Sequence, residues 1–140
     1  MKVEFFYPMD KIPTVTAQEK GVNFKAKNPK HRFYTKPEVQ AAKNQYIAML
    51  MKNKPSRMLE GAIALSVSFR FPFDTKHKTE GEWKITKPDT DNMLKLVKDC
   101  ATKCGYWSDD NLVCVEIVTK KYSKDSGIIF KAEEMEADNE

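Results

Sequence analysis

Three stretches of this chain carry a clear hydrophobic period. Ile63, Leu65, Val67, Phe69, Phe71 and Phe73 alternate with Ala64, Ser66, Ser68 and Arg70. A period of two places the large side chains on one buried face of a strand and leaves the other face to water. Val39, Ala42, Tyr46, Met49 and Leu50 instead recur at helical spacing, which predicts a helix packed along one stripe. Thr35-Lys36-Pro37-Glu38 ahead of it has the spacing of a capping box, with Pro37 tolerated in the first turn where its missing N–H is not needed. Asn53-Lys54-Pro55 supplies the stop.

The third stretch predicts a helix from about Asp91 to Cys104, closed by Gly105 as its left-handed residue. Met93, Leu94, Leu96, Val97, Cys100, Ala101 and Cys104 form its apolar face, and Asp91, Lys95, Lys98 and Thr102 line the opposite side. Asp91 and Lys95 form an i, i+4 pair, so carboxylate and ammonium emerge one turn apart. Pro88 biases Lys87 toward an extended backbone, and either Asp89 or Thr90 suits the N-cap. Asp89 and Asp91 point to the same side if the extension persists through Thr90, and splay apart if the helix starts earlier.

Weaker signals fill in the rest. Val3 to Tyr7 reads as a first strand ended by Pro8, Leu112 to Thr119 as a later strand, and Ile128 to Phe130 as a short final one. Asp74 to Ile85, polar and punctuated by Gly81, reads as a loop or hairpin tip. The sum is an α+β fold, a small single domain with a short mixed or antiparallel sheet packed against two main helices. The domain is expected over residues 1–131, with 132–140 as an acidic, disordered tail.

A length of 140 residues supports one core without staples. No apolar run approaches the ~20 residues that span a bilayer, and the N-terminus lacks a signal peptide, so a cytoplasmic protein without membrane contact is expected. Cys100, Cys104 and Cys114 include no C-x-x-C pair; reduced, buried cysteines acting as small apolar residues fit better than a zinc site or disulfides.

Charge adds a partner. The net charge is +4, but residues 132–140 hold five acids and no base, which leaves the body at +9. Between Lys20 and Pro37 there is no acid, while Lys25, Lys27, Lys30, Arg32 and Lys36 are interleaved with Phe24, Phe33 and Tyr34. Cations that neutralise phosphate and rings that stack on bases suit nucleic acid, which makes Lys27, Lys30 and Arg32 candidate DNA contacts.

Four aspartates bracket the second helix: Asp89 and Asp91 at its start, Asp109 and Asp110 after Gly105-Tyr106-Trp107-Ser108. Acids in a first turn complement the helix dipole, which accounts for one of them. Several converging acids repel unless a hard cation such as Mg²⁺ takes them, with water and phosphate oxygens as its remaining ligands. An EF-hand is excluded, because Met93-Leu94 follow where its loop requires polar ligands and a glycine.

Lys87-Pro88-Asp89-Thr90-Asp91-Asn92, then Lys95, Asp99, Gly105-Tyr106-Trp107-Ser108-Asp109-Asp110, the valine-rich strand and Lys121-Tyr122 resemble the RusA-type Holliday junction resolvases, small phage and prophage endodeoxyribonucleases. The match is detailed over residues 87–122, and Ile12-Pro13-Thr14-Val15-Thr16 departs from the amino-terminal segment such proteins often carry. The resemblance implies an Mg²⁺-dependent nuclease, with Mn²⁺ as a substitute, that resolves branched DNA by paired symmetric nicks. It implies Asp89, Asp91 and Asp110 as metal-binding catalytic carboxylates, Lys95 as the catalytic lysine, and Asp109 as a further ligand or a group supporting one. Lys87 and Lys98 become phosphate contacts. Two nicks require two sites, so a homodimer is implied, with the apolar region Phe69 to Phe73 as a candidate interface. The alternative is a non-catalytic nucleic-acid-binding module with a structural ion site.

Overall fold

The alternating stretch forms a strand in the interior of a sheet. The computed structural model describes residues 1–15, 20–31 and 33–138. In chain order the elements are β1 (Lys2–Pro8), β2 (Lys20–Val22), β3 (Phe33–Thr35), α1 (Pro37–Lys52), β4 (Ile63–Pro72), α2 (Thr90–Lys103), β5 (Val113–Ser123) and β6 (Gly127–Glu134). The main sheet has the order β1-β6-β4-β5, and β2 pairs with β3 in a separate ribbon. β4 and β5 run parallel while the other pairs are antiparallel. A parallel pair needs a crossover, and α2 lies in that connection. This is the mixed-sheet α+β fold that the periodicities predict.

The helices bury the stripes expected of them. α1 buries Val39, Ala42, Tyr46, Met49 and Leu50, and α2 buries Met93, Leu94, Leu96, Val97, Cys100 and Ala101. Both pack into one core with Ile63, Leu65, Val67, Phe69 and Phe71 of β4 and with Ile128, Phe130 and Ala132 of β6. Burial pushes the Cys100 thiol up to about 11, so it remains a neutral thiol in the core. No helix among the described residues is long and apolar enough to cross a membrane.

Several expectations need correction. Thr35 ends β3 instead of capping α1, whose N-cap is Lys36 with no side-chain cap bond; the strand pairing Lys20↔Thr35 claims that residue. The final strand is longer than Ile128–Phe130 and lies between β1 and β4, because it hydrogen-bonds on both edges. Residues 132–134, assigned to the tail, therefore belong to β6. Glu134 accepts bonds from both Arg57 Nη atoms at 2.9 Å, from the Met1 amine at 2.8 Å and from the Glu60 backbone N–H at 2.7 Å. Phe69 and Phe71 are core residues at 0% and 6% exposure, which removes them as an interface. Cys114 is exposed, unlike Cys100 and Cys104. It occupies a bulge where the register shifts from Ile63↔Val113 to Ala64↔Val115, and a bulged residue is left unpaired and displaced from the ladder.

Candidate active site

The site is built around the two ends of α2. At its N-terminus Asp89 is extended, with φ −72° and ψ 143°, and Thr90 is already helical. The extension does not persist through Thr90, so the two aspartates diverge. Asp91 and Lys95 emerge on the solvent side of the helix, both exposed. Asp89 occupies the N-cap position, yet its carboxylate accepts no bond from the first turn. Behind it, Lys120 Nζ donates to the backbone oxygen of Pro88 at 2.7 Å and to that of Thr86, tying the approach to Asp89 onto β5.

At the other end the chain reverses through a glycine. Gly105 has φ +81°, Tyr106 N–H donates to Ala101 O at 3.1 Å and Gly105 N–H to Thr102 O at 3.1 Å. These are the paired bonds of a Schellman closure. Tyr106 and Trp107 then enter the core at 0% exposure. Tyr106 Oη donates to Leu50 O at 2.7 Å and Trp107 Nε1 to Thr102 Oγ1 at 2.8 Å. With two anchored aromatic residues ahead of them, Asp109 and Asp110 are held at a fixed place beside α2.

Those two acids then part. Asp109 caps a 3-10 turn, Asp110–Leu112, by accepting the Asn111 N–H at 3.0 Å. Asp110 is half-buried and lines a cleft of about 420 Å³ together with Asp91, Asn92, Leu94, Lys95, Lys98 and Glu116. Lys98 Nζ and Glu116 Oε1 close an ion pair at 2.6 Å from α2 to β5.

Of the residues expected from sequence, the structure thus brings Asp91, Lys95, Lys98 and Asp110 into one cleft. Asp89 and Asp109 are not among its lining residues. Lys87 is exposed ahead of α2, and Lys27 and Lys30 are exposed on the segment between β2 and β3. The Lys30 N–H caps onto Asn28 Oδ1 at 3.0 Å. Phe24 and Tyr34 in the same region are 85% and 49% exposed. Arg32 lies outside the described residues. Lys84 is engaged elsewhere, with its ammonium 4.9 Å from the Phe71 ring centre and 5.3 Å from that of Tyr122.

Glu116 is the cleft residue that periodicity misses. Simple alternation from Val113 points position 116 away from the helices. The bulge at Cys114 inverts the phase, and Glu116 pairs opposite buried Leu65 on the helix-bearing face. A valine-rich edge strand interrupted by one acid, Val113-Cys114-Val115-Glu116-Ile117-Val118, is the signal that was available.

Among the described residues, no three His, Cys, Asp or Glu side chains are grouped to hold one ion. The donor set of the cleft nevertheless suits Mg²⁺, which is characteristically bound by one or two carboxylates with water and phosphate oxygens completing its shell. Asp91 and Asp110 are two such carboxylates, flanked by ammonium groups that complement phosphate.

Comparisons with known proteins identify the family. The family model described as Endodeoxyribonuclease RusA matches residues 1–132, which includes every element of the fold except the last two residues of β6. A relative from Lactococcus phage r1t, named "Crossover junction endodeoxyribonuclease rusA", is 39% identical over 116 residues, spanning 81% of this chain and 83% of the relative. By both measures, the chain belongs to the RusA endodeoxyribonuclease family.

Proposed function

We propose that this chain hydrolyses phosphodiester bonds in branched DNA at the Asp91–Lys95–Asp110 cleft, resolving four-way junctions with Mg²⁺. The observation that carries the reading is the convergence of two aspartates and two lysines in one cleft of a RusA-family chain. Asp91 and Asp110 would hold the ion, with Asp89 supporting them by its charge from the N-cap, outside the cleft lining. When bound, Mg²⁺ lowers the pKa of a water and offsets charge on a non-bridging phosphate oxygen. Lys95, one turn from Asp91, stabilises the charge that builds on phosphate in the transition state. Lys98 and Lys87 contact flanking phosphates and set register without reading sequence. No nucleophilic side chain is required.

Paired symmetric nicks need a second cleft, and a second copy supplies it. The surface that suits it is the outer side of β5, where Val115 and Ile117 are 42% and 57% exposed. The far edge of β5 is covered near its C-terminal end by residues 81–84, through Gly81 N–H to Tyr122 O at 2.9 Å, Tyr122 N–H to Glu82 O at 2.8 Å and Lys84 N–H to Lys120 O at 3.1 Å. The preceding half offers an edge to an isologous partner.

The test is incubation of the purified protein with a synthetic four-way junction and with linear duplex of the same length, in Mg²⁺ and in EDTA. Two nicks at symmetric positions, on the junction alone and in Mg²⁺ alone, are expected. One competing reading is a binding module with no catalysis. A junction that is shifted on a gel and left uncut in Mg²⁺ would establish that module instead.

A further inference from the structure

We propose that Glu116 is a positioning residue of this cleft, which acts by holding Lys98 as a fixed phosphate clamp; the inference rests on the nuclease reading of the cleft. A lysine on the solvent side of a helix has a flexible four-carbon stem and samples many rotamers unless a partner fixes it. Lys98 has such a partner, with its ammonium donating to Glu116 Oε1 at 2.6 Å. Both side chains line the cleft that holds Asp91, Lys95 and Asp110. They are 21% and 39% exposed, so the pair forms part of the cleft wall.

Three features distinguish a clamp from an ordinary surface pair. Asp91, Lys95 and Lys98 lie at i, i+4 and i+7 on α2, so a DNA strand laid along the helix meets the carboxylate and then two cations in succession. An ammonium has three N–H donors and Glu116 takes one, which leaves two for non-bridging phosphate oxygens. The pairing also keeps Lys98 from neutralising Asp91 or Asp110. Glu116 meets Lys98 through Oε1, and among the described residues no three acids are grouped on one ion. The β5 bulge makes the contact feasible, by turning Glu116 toward α2.

A double-mutant cycle of Lys98→Ala and Glu116→Ala tests this, read by single-turnover cleavage of the junction in Mg²⁺ and by junction and duplex binding in EDTA across a salt series. Each single variant is expected to cleave roughly tenfold more slowly, as misplacement of a positioning group does. The double variant should be no slower than Lys98→Ala. Lys98→Ala should flatten the dependence of log affinity on log salt by about 0.9, one phosphate contact. Glu116→Ala keeps the cation and should keep the slope, while its preference for junction over duplex falls because a freed ammonium pairs with any phosphate. Glu116→Gln retains an acceptor and should recover part of the rate.

Wild-type cleavage by Glu116→Ala, or a Glu116→Ala loss that persists in full without Lys98, overturns the proposal. If the wild-type protein itself cuts no branched DNA, the nuclease reading fails. The metal-free junction preference still judges the pair, and an unchanged preference in Glu116→Ala overturns the clamp.

Discussion

The two aspartate pairs that bracket α2 have the same composition and different fates. In each pair one acid lines the cleft, Asp91 in front and Asp110 behind. The remaining two differ. The Asp109 carboxylate is engaged by the Asn111 N–H, whereas Asp89 stands at an N-cap position and its carboxylate accepts nothing from the helix it precedes. A carboxylate that satisfies a backbone donor is explained by local structure. One that stands at a helix start without capping it is not, and that asymmetry makes Asp89 the better candidate for chemistry even though both lie outside the cleft lining.

The largest effect should come from the cleft acids. Asp91→Asn and Asp110→Asn are each expected to lower junction cleavage by about 100- to 1000-fold, the scale on which single groups that stabilise the transition state act. Junction binding in EDTA should persist, because neither acid contacts phosphate directly. A variant that cuts at the wild-type rate would mean that the cleft is not the catalytic centre, and the distinction between the pairs would lose its meaning.

Asp89→Asn sharpens the comparison further. Asparagine is as good an N-cap residue as aspartate, so thermal stability should stay at the wild-type value. If Asp89 supports the ion with its charge, cleavage falls by about tenfold to 100-fold, the range for groups that act behind the first ligands, and more Mg²⁺ is needed for half-maximal rate. Wild-type cleavage together with an unchanged Mg²⁺ requirement would reduce Asp89 to a helix-start residue.

What the sequence makes legible here follows from how local each signal is. The α1 stripe, the β4 alternation and the apolar face of α2 are periodic within single elements, so burial follows from spacing alone. Asp91 and Lys95 share a helix face for the same reason. Asp110 reaches them because Gly105, Tyr106 and Trp107 form a closure whose glycine and buried aromatics are visible in sequence. The Lys98–Glu116 pair is different, since it depends on β5 lying parallel beside β4 and on a one-residue bulge that reverses the facing of every later side chain. Neither leaves a local trace, and the same bulge explains why Cys114 is exposed. Thr35 fails for a related reason: a capping pattern yields to strand pairing with Lys20 across a gap no short-range rule sees.

A smaller effect is expected at Asp109. Asp109→Ala removes the cap of the 3-10 turn and should lower stability by about 1 kcal/mol, measurable as a shift in the urea midpoint without a change in slope. Cleavage should fall far less than in Asp110→Asn, and Asp109→Ser, which keeps an acceptor for the Asn111 N–H, should restore both properties. A loss of activity equal to that of Asp110→Asn, unrelieved by serine, would make the second pair a joint ligand set and erase the contrast between the two acids.

Glu134 carries the contrast to its limit, as an acid whose oxygens are saturated by donors and whose effect on cleavage should be nil. The Arg57 guanidinium holds its carboxyl well below the ordinary value of 4.5, reinforced by the Met1 amine and the Glu60 N–H. Because the folded-state pKa is depressed, the unfolded chain binds the proton more readily, and stability rises with pH through this range. The contribution is fully present above about 4.5 and is lost as the pH falls from there toward the depressed value. Glu134→Gln should therefore be less stable than wild type at neutral pH, and the two urea midpoints should converge on acidification. Parallel curves would mean that the Arg57 and Met1 contacts contribute nothing through ionisation. Neither Glu134 nor its partners line the cleft, so junction cleavage at neutral pH, below the melting range of the variant, should match wild type. A cleavage defect there would show that the sheet end formed by Ile63, Val113 and Glu134 sets the position of Asp110, and that even a fully satisfied acid reaches the site through the strands it joins.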